Sequence, residues 1–491
     1  MKKNSVLNSG YDSISDMIRK LFLAIVFLVP QLFSQSGKDQ LKNEINDLLK
    51  NDFFNTTTIS IDVYDLTSKE TLYQVNERKL LNPASNMKLL TSAAGLIFLG
   101  PKYNFITSVK CTGDIVDSTL YGDVFVAGDF DPDFSTDNLN KFIEDFHQAG
   151  INEIDGNLYG DVFKKDSVAW GSGWMWDDDP STDAPYLSAL NINSNSIDVY
   201  VTGTKQGEKA NVFTSPETQY VKVINNAFTS SLDEQKINIT RDWQKRTNDI
   251  YVDGCISPPE FSHNDTVKSS VNIYRPDLYF LTLFKEKLEA RGIKLTGKTG
   301  LLKYPSTAKW LSFFSRTYDS VMVNMNKHSD NLSAEMVLYS LASSFNNAPL
   351  SASEGLIMMD SLLTLCGVED SYLLADGSGV SRYNLLSADI ILSVLKYMYY
   401  NKPDLFGLYN YSLPVAGIDG TLKDRMKGTI AEGNVRAKTG TLRGVSCLSG
   451  YVTAKNQHII AFSILEQNFV DSTLYARSIQ DQICILLSKY E

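Results

Sequence analysis

The feature that most constrains the fold of this chain is that its two ends carry matching pieces of one layered structure. Near the N-terminus, alternating apolar residues over 59–63 and 71–75 predict a β-hairpin. Near the C-terminus, similar patterns predict strands over 435–439, 445–452 and 459–465. These strands fit a single antiparallel sheet flanked by helices, an α+β fold whose two halves enclose a long insertion.

The middle of the chain differs from its ends in predicted secondary structure, and this difference sets the expected domain boundaries. Residues 101–305 show short alternating strands separated by turn signals, which indicates a mainly β insertion of two subdomains. Helical patterns return after it, over 334–343 and 387–399. Because 491 residues exceed a typical single domain, we expect residues 37–100 and 306–491 to form one discontinuous main domain.

The first 36 residues have the character of a secretory signal peptide. Two cations, Arg19 and Lys20, precede an apolar run over 21–32, which is too short to span a bilayer comfortably. Acidic residues before Met17 are unlike a signal, so we expect the true start at Met17. The sequence therefore predicts an exported, periplasmic protein, with an uncleaved membrane anchor as the alternative.

Composition narrows the classes of partner and of chemistry. The net charge is −11 without a long basic block, which argues against nucleic acid or an anionic membrane surface as the main partner. The four histidines are scattered, and no histidine–cysteine cluster has metal-ligand spacing. We therefore expect no metal site and no cofactor. None of the five cysteines is flanked as a catalytic thiol would be.

The first chemical candidate is the pair Ser85 and Lys88, at the start of a helix predicted over 87–99. Asn82 suits the N-cap of this helix and Pro83 its first turn. Residues three apart share a helix face, so the Lys88 amine can reach the Ser85 hydroxyl. A serine nucleophile needs a base, and a lysine can serve if burial or nearby cations lower its pKa. The alternative is an ordinary polar helix start.

The second candidate is Ser329-Asp330-Asn331. It lies between a strand-like segment over 321–325 and a predicted helix. A hydroxyl and an amide at this point could face the first pair. The alternative is that Ser329 or Asn331 is simply a helix N-cap, the commonest use of such residues.

The third candidate covers residues 438–441, Lys-Thr-Gly-Thr, on a strand of the C-terminal meander. Lys438 offers a cation for a substrate carboxylate, the threonine adds a hydroxyl, and the glycine lets a ligand lie close to the backbone. The same tripeptide recurs at 298–300, within the insertion and before the second candidate. We therefore interpret the copy at Lys298 as a turn without a catalytic role.

The order of the three candidates is more specific than any one of them. Ser-x-x-Lys, Ser-x-Asn and Lys-Thr-Gly together are the signature set of class A β-lactamases and penicillin-binding proteins. With its further motifs, the chain resembles the D-alanyl-D-alanine carboxypeptidase/endopeptidase family, the class C low-molecular-mass penicillin-binding proteins. The supporting stretches are Asn82–Lys88, Gly173–Asp178, Met325–Asn331, Asp376–Arg382 and Arg436–Thr441. This resemblance covers nearly the whole mature chain and implies a penicillin-binding-protein/serine β-lactamase-like transpeptidase domain as the catalytic domain.

The resemblance also implies the activity. The expected enzyme is a serine-type D-Ala-D-Ala carboxypeptidase or DD-endopeptidase that acts on peptidoglycan peptides through an acyl-enzyme, with β-lactam antibiotics as covalent inhibitors. Lys88 would take the proton of Ser85 as the serine attacks the penultimate carbonyl. Ser329 would pass a proton to the leaving amine while Asn331 holds Lys88. Lys438 would help to keep Lys88 neutral.

Further residues are implied to bind the substrate. Lys438 and Thr439 would bind its terminal carboxylate, and Gly440 would leave room for it along the strand. The backbone N–H groups of Ser85 and Thr441 would form the oxyanion hole.

Two more positions, Arg382 and Asp178, resemble residues that line the pocket for the peptide's side chain in relatives. The alternative for Arg382 is a surface salt bridge. The alternative for Asp178 is a solvated loop acid, and Asp177 or Asp179 could serve instead.

Two other functions compete with the peptidase. A β-lactamase shares the three motifs, but no acidic residue of the insertion can be assigned as its deacylating base, and the chain is long for one. A catalytically silent wall-binding scaffold could keep the fold, but it has no need of a buried neutral lysine. We therefore expect a peptidoglycan hydrolase, and leave open a peripheral membrane or wall association.

Overall fold

The computed structural model describes residues 37–230, 236–259, 266–345, 348–470 and 472–491. The signal peptide predicted for the first 36 residues therefore lies outside the described residues. No helix of the described ranges is both long and apolar enough to cross a membrane.

The elements are numbered in chain order. The helices are α1 (37–48), α2 (Met87–Ala94), α3 (Thr136–Gln148), α4 (Pro276–Ala290), α5 (Tyr318–Lys327), α6 (Asn331–Leu341), α7 (Ala352–Leu365), α8 (Ala388–Asn401), α9 (Pro403–Ser412) and α10 (Thr473–Lys489). The strands are β1 (Thr58–Asp65), β2 (Glu70–Val75), β3 (Asn104–Cys111), β4 (Asp114–Val116), β5 (Thr119–Tyr121), β6 (Val124–Ala127), β7 (Glu153–Ile154), β8 (Leu158–Asp161), β9 (Ser196–Thr202), β10 (Asn211–Ser215), β11 (Lys222–Asn225), β12 (Phe228–Thr229), β13 (Lys236–Arg241), β14 (Asp249–Ile256), β15 (Thr266–Asn272), β16 (Lys294–Leu295), β17 (Thr299–Leu301), β18 (Lys309–Thr317), β19 (Arg436–Leu442), β20 (Val445–Thr453) and β21 (Ile459–Gln467).

The two ends of the chain meet in one antiparallel sheet of order β19-β20-β21-β1-β2. The N-terminal hairpin joins the C-terminal meander where β1 pairs with β21. The alternating residues Ile59, Ile61 and Val63 lie in one core with side chains of α1 and α10. A second core, on the other face, contains apolar residues of α2, α5, α6 and α8. The predicted sheet between two helical layers is thus present.

One predicted element is wrong. The segment 321–325, interpreted as strand-like, is part of helix α5. Its apolar residues fit a period of two and a helical period equally well. Burial decides between the two: Val321, Met322 and Met325 are buried together, which places them on one helical face.

The inserted segment builds its own sheets and its own core. Its largest sheet has the order β17-β8-β6-β3-β18. Its smaller sheets have the orders β16-β7-β5-β4, β10-β9-β15 and β11-β14-β12, with β13 paired to β14. Because β18 pairs with β3, the insertion's sheet extends past residue 305. The division into domains stays a prediction, and this pairing favours a return to the main domain near residue 317. The second Lys-Thr-Gly copy lies at β17, a short strand rather than the expected turn.

Candidate active site

Ser85 lies in a short 3₁₀ turn, Ala84–Asn86, that leads directly into α2. The N-cap of this turn is Pro83 and that of α2 is Asn86, so the predicted N-cap at Asn82 is wrong. The Asn82 side chain still accepts a hydrogen bond from the Ala84 N–H (2.9 Å), just before the nucleophile candidate. Lys88 lies one turn later, and its Nζ is 3.1 Å from the Ser85 Oγ. The three-residue spacing thus brings the amine onto the hydroxyl.

Lys88 is fully buried, and within the described part of the chain its amine bonds only to neutral oxygens. Besides Ser85, its Nζ donates to the Asn331 Oδ1 and to the Ser378 carbonyl (2.7 Å). Burial lowers the pKa of Lys88 to about 8, although the negative charges of nearby acids oppose this change. These acids are Asp376, Asp330, Glu335 and Asp183. An appreciable fraction of the amine is therefore neutral near physiological pH.

Ser329 and Lys438 form the opposite side of the site. Ser329 connects α5 to α6 with a left-handed backbone (φ 60°), a conformation that is uncommon for a residue other than glycine. Lys438 Nζ donates to the Ser329 Oγ (2.9 Å) and to the Thr439 carbonyl (2.9 Å). Burial first, and the positive charge of Lys88 second, hold the pKa of Lys438 well below its ordinary value.

Asn331 connects this site to the insertion. It is the first residue of α6, and its Nδ2 donates to the Asp183 carbonyl (2.6 Å) while its Oδ1 accepts from Lys88. The N-cap of α6 is Asp330, whose carboxylate accepts from the Ser333 N–H (2.6 Å). The alternative in which Ser329 or Asn331 serves as the N-cap is therefore wrong.

The loop Asp376–Ser381 holds the carbonyl that Lys88 bonds. The Asp376 carboxylate accepts from the N–H groups of Gly379 (2.8 Å) and Ser381 (2.6 Å) and from the Trp174 Nε1 (2.9 Å). Gly379 has φ 87°, and a Cβ there would lie 1.9 Å from the Ala84 carbonyl. This glycine therefore allows the loop to contact the turn that carries Ser85.

Glu335 is a site residue that the sequence reasoning missed. Its Oε1 accepts from the N–H groups of Gly377 (3.1 Å) and Ser378 (2.8 Å), and burial raises its pKa to about 8. It lies four residues after Asn331, hence on the same face of α6. A lone acid in an apolar helix was the available signal. The role of the Ser378 carbonyl, by contrast, has no signal in the sequence because every residue has one.

The predicted substrate-binding residues of β19 lie beside the pair. The Thr439 hydroxyl donates to the Thr421 Oγ1 (2.8 Å), and the Thr441 Oγ1 accepts from Arg477 (3.2 Å). A Cβ at Gly440 would lie 2.8 Å from the Pro83 carbonyl. The glycine therefore lets β19 approach the turn that carries Ser85, a reason different from the predicted room for a substrate.

The side chains of Arg382 and Asp178 make their hydrogen bonds to groups other than the three motifs. Arg382 is partly exposed and donates to the Arg443 carbonyl (3.3 Å), so the salt bridge considered for it is absent among the described residues. Its backbone N–H bonds to the Gly173 carbonyl (3.2 Å), which brings the tryptophan-rich segment next to it. The Asp178 carboxylate accepts from the Met175 N–H (2.8 Å) and shapes a local turn.

The two acids beside Asp178 differ from it and from each other. Asp177 is exposed, whereas Asp179 is buried and bonded to Arg241 and to the Tyr186 hydroxyl (2.8 Å). Asp179 is therefore not free to replace Asp178. Lys298, in the second Lys-Thr-Gly copy, is exposed in the insertion, and the structure does not bring it to this site.

The fold and this arrangement of Ser85, Lys88, Ser329, Asn331 and Lys438 define the class of penicillin-recognising serine enzymes. Comparisons with known proteins agree. The model of the D-Ala-D-Ala carboxypeptidase 3 (S13) family matches residues 41–490. The chain belongs to this family. The predicted α+β fold and the predicted function, a serine-type D-Ala-D-Ala carboxypeptidase or DD-endopeptidase, are thereby confirmed.

Individual relatives match over most of their length. A D-alanyl-D-alanine carboxypeptidase from Actinomadura sp. (strain R39) is 31% identical, over 94% of this chain and 87% of the relative. The penicillin-sensitive carboxypeptidase A of Dictyostelium discoideum is 28% identical, over 93% of each chain. The crystal structure of penicillin binding protein 4 from Haemophilus influenzae superposes with a TM-score of 0.79 at 25% identity, over 91% of this chain and 99% of that one.

Proposed function

We propose that Ser85 is the nucleophile and Lys88 the base of an acyl transfer to the penultimate carbonyl of a peptide that ends in D-Ala-D-Ala. The observation that carries this proposal is the 3.1 Å contact between Lys88 Nζ and Ser85 Oγ at a fully buried amine. A neutral Lys88 takes the hydroxyl proton as Ser85 attacks. The carbonyl oxygen becomes an oxyanion, which the backbone N–H groups of Ser85 and Thr441 stabilise.

The second half of the first step releases D-alanine. Collapse of the tetrahedral intermediate breaks the peptide bond, and the leaving amine takes a proton from the Ser329 hydroxyl. Ser329 recovers that proton through its bonded partner Lys438 and the adjacent Lys88. Water then attacks the acyl ester with Lys88 again as base, which restores the Ser85 hydroxyl and frees the acid.

The terminal carboxylate of the substrate is bound at the start of the Lys-Thr-Gly strand. Lys438 provides positive charge and Thr439 a hydroxyl, and Thr421 lies within 2.8 Å of that hydroxyl. A carboxylate at this point favours the protonated form of Lys438, and the positive charge of Lys438 then disfavours the protonated form of Lys88. Arg382 and Asp178 contribute to the pocket for the peptide's side chain.

The natural partner is peptidoglycan, and the protein acts after export to the periplasm. β-lactams acylate the same Ser85. The relative from Dictyostelium discoideum is described as a penicillin-sensitive carboxypeptidase, which supports this part of the proposal. The chain associates with the wall or the membrane surface only peripherally. The catalytic domain is discontinuous, and the insertion contributes the Asp183 carbonyl to the placement of Asn331.

Digestion of purified muropeptides tests this proposal. We expect conversion of pentapeptide monomers to tetrapeptides, of cross-linked dimers to monomers, or both, and no conversion by Ser85→Ala. Lys438→Ala should lose at least a hundredfold in rate. Lys298→Ala, the matched control in the other Lys-Thr-Gly copy, should keep the wild-type rate. A competent Lys438→Ala together with an inactive Lys298→Ala would overturn the assignment of the motifs.

The same protein distinguishes a peptidase from a β-lactamase. A penicilloyl group that stays on Ser85 for minutes or longer supports the peptidase, because its site is built for a peptide acyl group. Rapid turnover of penicillin, with release of penicilloate and no accumulated adduct, would instead favour the β-lactamase.

A further inference from the structure

A cavity separate from the serine site opens between the insertion and the helical layer. Its volume is 1270 Å³, and none of Ser85, Lys88, Ser329, Asn331 or Lys438 lines it. The walls come from several parts of the chain. These parts are 162–189, 243–246, 274–277, 301–303 and 348–349. A space of this size can hold several sugar rings or a short peptide.

Aromatic rings form much of the wall. Trp174 and Tyr186 are buried in it, and Trp170 packs against both of them (ring centroids 5.3 and 5.1 Å apart). Trp176 is 69% exposed and its ring lies 4.8 Å from that of Trp243. An indole pair at the rim offers flat apolar faces next to solvent. Such faces suit the C–H faces of pyranose rings, whose hydroxyls stay free to bond polar groups.

The acidic side chains that line the cavity are all paired with cations, whereas two of its cationic side chains are not paired with acids of the described ranges. Two of its acids are paired locally, Asp166 with Lys165 and Asp277 with Arg275. A third, Asp179, is bonded to the buried Arg241. By contrast, the side chains of Arg246 and Lys303 make no ion pair or hydrogen bond within the described residues. The cavity therefore has two cations left for an anionic group of a ligand.

The wall of this cavity is also part of the support of the serine site. Trp174 lines the cavity and donates its Nε1 to Asp376 (2.9 Å). Asp376 in turn bonds Gly379, in the loop whose Ser378 carbonyl accepts from Lys88. A ligand in the cavity would lie against the same scaffold that positions the base.

We propose that this cavity binds the sugar part of peptidoglycan, as pyranose rings that carry a carboxylate. The rings stack on Trp176 and Trp243, and Arg246 and Lys303 bind the carboxylate. This inference rests on the proposed function for the identity of the polymer. Two sources provide the shared chemistry: a stem peptide still attached to the sugar, or the lactyl carboxylate of a glycan from which peptides have been removed.

Calorimetric titration of the Ser85→Ala protein, which cannot turn over the substrate, tests this proposal. Three probes are compared: a disaccharide–pentapeptide, a peptide-free glycan chain and the sugar-free pentapeptide. We expect Trp243→Ala to weaken binding of at least one sugar-containing probe about tenfold, and to leave binding of the sugar-free pentapeptide unchanged. Which of the two sugar-containing probes responds identifies the source of the carboxylate.

Matched controls separate the cavity from a general loss of aromatic or charged surface. Trp310→Ala removes a tryptophan that is 61% exposed on β18 and does not line the cavity, so it should change no affinity. Arg246→Gln should weaken the sugar-containing probe and reduce the salt dependence of its binding. Arg291→Gln, at an exposed end of α4 outside the cavity, should not.

The outcomes separate this proposal from the function. Equal affinities of wild type and Trp243→Ala for every sugar-containing probe, or an effect on the sugar-free pentapeptide alone, would overturn the sugar site. Acylation by penicillin, measured with Ser85 in place, should proceed equally fast in Trp243→Ala and wild type. Failure of acylation in both would instead overturn the role of Ser85, whatever the glycan titration shows.

Discussion

At the scale of single residues, Lys88 and Lys438 are two buried amines that bond only to hydroxyl, amide and carbonyl oxygens. Neither has a carboxylate as a direct partner among the described residues. Both pKa values are lowered, with burial as the main cause. A neutral amine can accept a proton from Ser85, whereas a salt-bridged lysine would stay charged and could not act as a base.

We predict that acylation by penicillin rises with pH through a midpoint near 8. Lys88 must be neutral to take the Ser85 proton, and the lowered pKa of about 8 means that its neutral fraction grows as pH rises. Below the midpoint, the second-order rate constant should increase about tenfold per pH unit. Stopped-flow acylation between pH 6 and 9.5 measures this. A rate that falls with rising pH over that range would mean that the protonated amine is required.

The residues of the three motifs could be predicted from the sequence because each needs a particular side chain at a particular spacing. The contacts of Glu335 and Trp174 could not, because Glu335 bonds backbone N–H groups of the loop Asp376–Ser381 and Trp174 bonds the Asp376 carboxylate, and only the folded chain brings these groups together. The close approach of Gly440 to the Pro83 carbonyl has no signal in the sequence either, because only the folded chain brings the two together, and the role of Gly440 toward the substrate stays a prediction.

At the scale of elements, the site depends on the contact between strand β19 and the turn before α2. The strand brings Lys438 and Thr439, and the turn brings Ser85. Gly440 lies between the two, with the Pro83 carbonyl and the Ala84 Cβ on its open side. Any added side-chain atom must therefore push the strand away from the nucleophile.

We predict that Gly440→Ala slows acylation by at least tenfold and destabilises the protein by about 1–3 kcal/mol. The new Cβ would lie 2.8 Å from the Pro83 carbonyl and 3.1 Å from the Ala84 Cβ. Gly407→Ala is the control: it lies within α9 with no heavy atom within 4 Å of its new Cβ. That change should leave acylation intact and stabilise the helix by about 0.5–1 kcal/mol. Equal acylation rates of both variants and wild type would show that close approach is unnecessary.

Strands and helices could be predicted from the sequence where their apolar residues follow a single period. The strands of the meander and helix α8 lie close to the predicted bounds. The segment 321–325 was misassigned because its apolar residues fit two periods, and only tertiary burial separates them. The second Lys-Thr-Gly copy shows that letters alone do not place a motif: Thr299 and Gly300 lie on β17 of the insertion, whereas residues 438–440 lie on β19, next to the turn that carries Ser85.

At the scale of the whole molecule, the sheet that joins both ends of the chain also buries acids. Glu466 on β21 is fully buried and bonds to Gln480 of α10 (3.0 Å), while its Oε1 has no partner in the described residues. Burial raises the pKa of Glu466 from 4.5 to about 8. The folded protein therefore binds a proton here that the unfolded chain has already lost at neutral pH.

We predict that stability falls as pH rises from about 4.5 to about 8, and that Glu466→Gln reduces this fall. Because the pKa of Glu466 is higher in the folded state, its contribution to the free energy of unfolding is complete below pH 4.5. That contribution is lost as pH rises through the folded pKa of about 8. One such acid contributes a slope of about 1.4 kcal/mol per pH unit. Denaturant unfolding at pH 5 and pH 8 measures it. Glu70→Gln, at an exposed strand end, is the control, and a Glu466→Gln profile identical to wild type would refute the linkage.

The overall arrangement followed from the two matching ends of the chain, since a hairpin and a meander need one shared sheet. The sheets of the insertion could not be predicted in this way, because their strands are short and several pair with partners far along the chain. The contribution of Asp183 to Asn331 and the large cavity both arise from this long-range packing. Short-range patterns carry no signal for either.

The central claim is that Ser85 is the acylated nucleophile. The most direct measurement is mass spectrometry of the intact and digested protein after incubation with labelled penicillin. We predict one penicilloyl group, on the peptide that contains Ser85, and no adduct on a folded Ser85→Ala protein. An adduct that persists in Ser85→Ala, or the absence of any adduct on the folded wild-type protein, would contradict the account.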